Sequence, residues 1–148
     1  MVEFALILVL LLIIVLGIME FGIILYNRAM LTNGGREGAR AGVVFRADPA
    51  NFAYAPLTAA EIRTVVGNYI QTRLVTFGTQ FNPATDVTPM WSTDNGSTWT
   101  SSLPTTHGNG EQLRVDVTFT YSYLALPGLK GVQGPSLAMT SRTIMRME

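Results

Sequence analysis

The sequence predicts an α+β protein: a long N-terminal hydrophobic α-helix serving as a stem, then a small head with one further helix and an antiparallel β-sheet. Three observations predict it. Residues 4–26 form an almost uninterrupted apolar run, residues 58–74 carry apolar side chains at helical spacing, and residues 113–123 alternate apolar and polar at every position. The chain has 148 residues, 48% of them hydrophobic and only 14% charged, enough for one modest domain plus an appendage. Ten Lys+Arg balance ten Asp+Glu, so the basic footprint of a nucleic-acid binder is absent. With no cysteine in the sequence, a disulfide framework, a zinc ribbon and a thiol nucleophile are excluded.

Residues 4–26 read FALILVLLLIIVLGIMEFGIILY, with Glu20 the one charge among them. As a helix this stretch spans roughly 34 Å, enough to cross the hydrocarbon of a bilayer. A cleaved secretory signal would open on a basic region and close on a small-residue cleavage site. This chain opens Met-Val-Glu-Phe, so the segment is expected to be retained. A helix apolar on all faces is also too large for the remaining residues to wrap as a core. Arg28, Arg36, Arg40 and Arg46 flank the run on its C-terminal side, and the positive-inside rule alone would put that side in the cytoplasm. A basic leader removed during maturation would reconcile this with a head outside the membrane.

Five residues are candidates for subunit assembly and register: Met1, Glu3, Phe4, Glu20 and Arg28. A carboxylate beside so apolar a run is costly if buried unpaired. Glu3 either reaches headgroups or accepts an ion pair from the α-amino group of an adjacent copy, which would fix axial register. Phe4 begins the apolar surface beside it. Glu20 lies about 100° around the helix from Glu3. Arg28 is about 80° from Glu20 and two turns on, outside ideal intrahelical pairing. Glu20 and Arg28 therefore meet neighbouring copies or solvent.

The helix is expected to continue to about Phe45, since the first proline is Pro49. Gly34, Gly38 and Gly42 recur at every fourth residue and form a flat stripe for close packing of a backbone or sheet. A helix melted locally at residues 33–35 is the alternative.

These residues together resemble a known family. Val2-Glu3-Phe4-Ala5, the aliphatic run, Glu20-Phe21-Gly22, Leu31-Thr32-Asn33 and Arg36-Glu37-Gly38-Ala39-Arg40 are similar to TadE-like pilins, of the tight-adherence branch of type IV pilus machinery. The ending Met145-Arg146-Met147-Glu148 is similar to that family's as well. The resemblance covers residues 2–45 and is faint in the head. It implies a prepilin cut by a prepilin peptidase, held in the cytoplasmic membrane, and assembled with the pilus machinery through its N-terminal helix into an extracellular, adhesive filament of identical subunits.

Residues 47–56, ADPANFAYAP, are a loop and divide the stem, residues 1–46, from the head, residues 47–148. Thr58 and Glu61 form a capping-box pattern, and Ile62, Val65, Val66, Tyr69, Ile70 and Leu74 define one apolar face of a helix closed by Gly78. Trp91 and Trp99 flank Thr93-Asp94-Asn95-Gly96-Ser97, a hairpin signal. A loop centred on Asn95 makes the two tryptophans face each other, whereas a two-residue Asn-Gly turn puts them on opposite faces. The first is the expectation. Residues 113–123 are a half-buried antiparallel strand, and residues 136–147, with Leu137, Met139, Met145 and Met147, another. The sheet's apolar face should pack on residues 57–77 and the upper stem.

No catalytic, cofactor or metal constellation emerges. His107, the one histidine, lies in the turn Thr106-His107-Gly108-Asn109-Gly110 without an evident partner for base or ligand chemistry. The reading is a non-enzymatic pilin subunit anchored in the membrane and polymerised by its helix. A minor or priming component of the same machine, and a signal-anchored extracytoplasmic binding domain, are the alternatives.

Overall fold

The computed structural model describes residues 2–44, 46–47, 54–103, 111–123 and 136–147. Its first element is helix α1 (Val2–Val43), unbroken for 42 residues, about 63 Å at 1.5 Å per residue. It ends two residues short of Phe45 and does not melt at residues 33–35. The intrinsic weakness of successive glycines, about 1 kcal/mol each, is overridden because that turn is buried beneath the head.

Two short strands follow, β1 (Arg46–Ala47) and β2 (Tyr54–Ala55), paired antiparallel. Helix α2 (Ala59–Ile70) starts at Thr58 with the capping box the sequence predicts. The Thr58 N–H donates to Glu61 Oε2 at 2.8 Å, and the Glu61 N–H donates to Thr58 Oγ1 at 3.4 Å. Ile62, Val66 and Ile70 are its buried face. The helix stops at Ile70, well short of Gly78. Residues 71–73 form a turn, and Val75 beyond it pairs its backbone with a side chain of α1, a bond that helix continuation would forfeit.

A one-turn helix, α3 (Pro83–Asp86), capped by Asn82, leads into strand β3 (Val87–Ser92). Strands β4 (Gln112–Ser122) and β5 (Ser136–Arg146) complete an antiparallel sheet of order β3-β4-β5. In β4 the alternation is realised: Leu113, Val115, Val117, Phe119 and Tyr121 are all buried. Opposite Phe119 in the register is Met139 of β5, and opposite Val117 is Ser141. The upper half of α1 lies against β4 and β5, and α2 packs on α1 and β3, so stem and head share one core, with Leu31 and Ala39 contributed by the stem.

The expected facing tryptophans are corrected. Trp91 pairs with Thr100, its N–H donating at 2.8 Å and its carbonyl accepting at 2.9 Å. Asn95 and Gly96 both hold positive φ, 58° and 88°, so the turn centres between them. That shift of half a residue sends Trp99 to the other face. Trp91 is buried, whereas Trp99 lies under the Arg114 guanidinium at 4.7 Å. Asp94 ties the loop by accepting from Thr98 N–H at 2.9 Å, Thr98 Oγ1 at 2.6 Å and Ser92 Oγ at 2.7 Å. These bonds, that from the Thr98 hydroxyl foremost, hold its carboxyl well below the usual carboxylate range.

Candidate assembly surface

The stem divides at Glu20. Below it, residues 3–15 and 17–19 are exposed without exception. Phe4 is 70% exposed and Ile18 68%. The most apolar window of α1, of mean hydropathy 3.0, is only 6% buried. That low burial separates it from the core helix of a soluble protein, which can be equally long and apolar. From Glu20 upward one stripe is covered: Glu20, Asn27, Leu31, Gly34, Gly35, Gly38, Ala39 and Gly42. Steps of three, four and seven residues keep these on one face. The covered face is thus the least aliphatic part of the helix, and the aliphatic faces are left outside.

Two side chains, Glu20 within the apolar run and Asn27 just beyond its end, fasten it to the head. Glu20 accepts a hydrogen bond from the Tyr121 hydroxyl at 2.6 Å, joining positions 101 residues apart. The sequence offered Glu20 a neighbouring copy or solvent, and the fold supplies a partner in the same chain. Burial first, then this bond and the carboxylate's charge, push the Tyr121 hydroxyl well above the ordinary tyrosine value. Asn27, wholly buried, behaves as an inserted peptide group. Its Nδ2 donates to the Val75 carbonyl at 2.8 Å, and its Oδ1 accepts from the Val75 N–H at 3.0 Å. Sequence reasoning missed both Asn27 and Tyr121. For Asn27 a signal existed, a lone amide seven residues above Glu20, on nearly the same face of the helix.

The glycine stripe faces inward. A Cβ on Gly34 would lie 2.5 Å from Ile70 Cδ1, one on Gly38 would overlap Val66 Cγ2, and one on Gly42 would overlap Leu113 Cδ2. The backbone of α1 therefore approaches α2 and β4 more closely than any side chain would allow. Lower down, Gly17 and Gly22 have nothing within 4 Å of such a Cβ. Two open apolar grooves flank the stem here. One, of about 480 Å³, runs past Gly17, Glu20 and Phe21 to Tyr123. The other, of about 370 Å³, runs past Met19, Gly22 and Tyr26 to Val75.

The remaining candidates are dispersed. Glu3 and Arg28 are exposed on α1. Met1 and His107 lie outside the described residues. Among the described residues no group of His, Asp and Glu is arranged to hold a metal ion.

Residues 1–40 match the family model described as TadE-like protein, the resemblance read from the sequence. No curated protein and no solved structure matches the chain. The match and the exposed apolar helix fit a pilus-related subunit anchored in a membrane.

Proposed function

We propose, from a stem that is TadE-like over residues 1–40, that this chain is a structural pilin. It is held in the cytoplasmic membrane by its N-terminal helix and then polymerised through that helix into an extracellular filament. The observation carrying this reading is the bare lower stem, only 6% buried in its most apolar window. Each large aliphatic side chain there gains about 1.5–3 kcal/mol on full burial, so water is excluded as a lasting environment. Lipid and a bundle of sister helices remain. Assembly exchanges one for the other: acyl chains solvate the stem before polymerisation, and copies of the stem solvate it afterwards. A head-to-tail contact with a rotation that does not close gives a helical polymer. Glu3, next to Phe4 at the lower end of the stem, supplies the charge that sets register, with the mature α-amino group of a neighbouring copy as its partner. The prepilin peptidase and the pilus assembly machinery are the partners of this route.

Detergent removal tests the proposal. Purified protein stripped of detergent should sediment as filaments visible in electron micrographs. A stable, dispersed monomer with α1 intact would overturn it.

A further inference from the structure

Between the charged Glu3 and the head, the apolar stem is too short to cross a bilayer alone. Its free part, from Phe4 to Met19, measures about 24 Å, whereas the hydrocarbon core is about 30 Å thick. Glu3 bounds the apolar stem from below, so with that carboxylate at the far surface the missing length, about 6 Å, comes from residues above Glu20, where α1 already carries the head. Tilting the helix lengthens the requirement.

We infer that the foot of the head is seated in the head-side leaflet, and that lipid acyl chains occupy the two grooves flanking the stem. This rests on the anchoring reading above. The side chains at that level suit the position. Phe77, Tyr121 and Tyr123 stack edge to face, with centroids 6.3 and 5.9 Å apart, and Tyr123 closes the larger groove. Tyr26 and Val75, 43% and 37% exposed, border the smaller one. Aromatic residues with one apolar and one polar end collect at this boundary. Tyr26 sits about 33 Å above Phe4, at headgroup depth, and the exposed Arg28 about 3 Å higher, level with the phosphates. Glu3 and Arg28 then bracket the membrane about 38 Å apart, on opposite surfaces. The apolar lining of the grooves is continuous with the bare stem, so the solvent of the stem is also the solvent of the grooves. The Tyr121 hydroxyl meets Glu20 on the inner side of the larger groove, which lets a carboxylate exist at this depth.

The absence of cysteine makes the test direct. Single-cysteine variants Ile14→Cys, Tyr123→Cys, Val75→Cys, Tyr26→Cys and Ile144→Cys carry an environment-sensitive fluorophore. They are reconstituted at low protein-to-lipid ratio in phosphatidylcholine vesicles, with nitroxides either deep or shallow in the acyl chains, or with aqueous iodide. Ile14 should respond to the deep nitroxide. Tyr123 should respond severalfold more to the shallow nitroxide than to iodide, and Val75 and Tyr26, at headgroup depth, should respond to both. Ile144, on the outer face of the sheet, should respond to iodide alone. If Tyr123, Val75 and Tyr26 follow Ile144 while Ile14 stays deep, the head stands clear of the bilayer and the inference fails. Groove labels silent to every quencher would put protein there instead of lipid, and it fails again. Iodide quenching at Ile14 would instead overturn the anchoring reading itself. Val75 and Tyr26 keep the test available if Tyr123→Cys does not fold.

Discussion

Asn27 and Tyr121 do the work of joining an apolar rod to a polar head, and each can be tested singly. Replacing Asn27 with Ala strands the N–H and carbonyl of Val75. The expected loss is about 1–3 kcal/mol, read as a lower chemical-denaturation midpoint. Tyr121→Phe removes the donor to Glu20 and should cost a similar amount at neutral pH. Its pH dependence differs. The Tyr121 hydroxyl is raised above the ordinary value of 10.0. A raised folded-state value favours the protonated form, so this stabilisation is complete below pH 10 and is lost as pH climbs further. Alkaline titration of stability should therefore fall more steeply, by one proton, in the parent than in Tyr121→Phe. At Gly38 two effects compete. Alanine gains about 1 kcal/mol of helix propensity but overlaps the stiff, buried Val66, and overpacking costs about 1–3 kcal/mol. Gly38→Ala should lower the melting temperature, whereas Gly17→Ala, with open space around it, should not.

At the scale of elements, α1 is two helices in function and one in backbone. Below Glu20 it contributes nothing buried to the head among the described residues. Removal of residues 1–18 should therefore leave a folded, water-soluble monomer with a cooperative thermal transition. Removal of the whole of α1 should not, because Leu31, Ala39 and the glycine face belong to the core. This division explains what the sequence disclosed. The capping box at Thr58, the alternation from Leu113 to Tyr121 and the apolar run are local patterns, and each was legible because one element alone carries it. The stop of α2 at Ile70 was hidden, since its cause, the bond between Asn27 and Val75, spans 48 residues. The tryptophan register turned on where a turn centres by half a residue, which the dipeptide Asn95-Gly96 signalled and the spacing of Trp91 and Trp99 obscured. The partner of Glu20 was illegible for the same reason as Val75: it lies more than a hundred positions away.

For the whole molecule, the prediction concerns assembly. Glu3→Ala should abolish surface filaments recovered by shearing while membrane levels of the subunit stay unchanged, measured by immunoblot of both fractions. Normal filament yield would remove Glu3 from the register role. Mass spectrometry of sheared filaments should find this chain as the dominant species, which separates a shaft subunit from a priming one. The unbroken course of α1 also has a mechanical consequence. A load applied to the head passes into the rod sideways, across the Glu20–Tyr121 bond, the Asn27 clasp and the interdigitated glycine face together, instead of peeling them one at a time. Attachments strained in parallel share force, and the helix beneath them runs on without a hinge to the opposite end. In the proposed filament, tension should therefore part neighbouring rods by slippage before any one subunit comes apart.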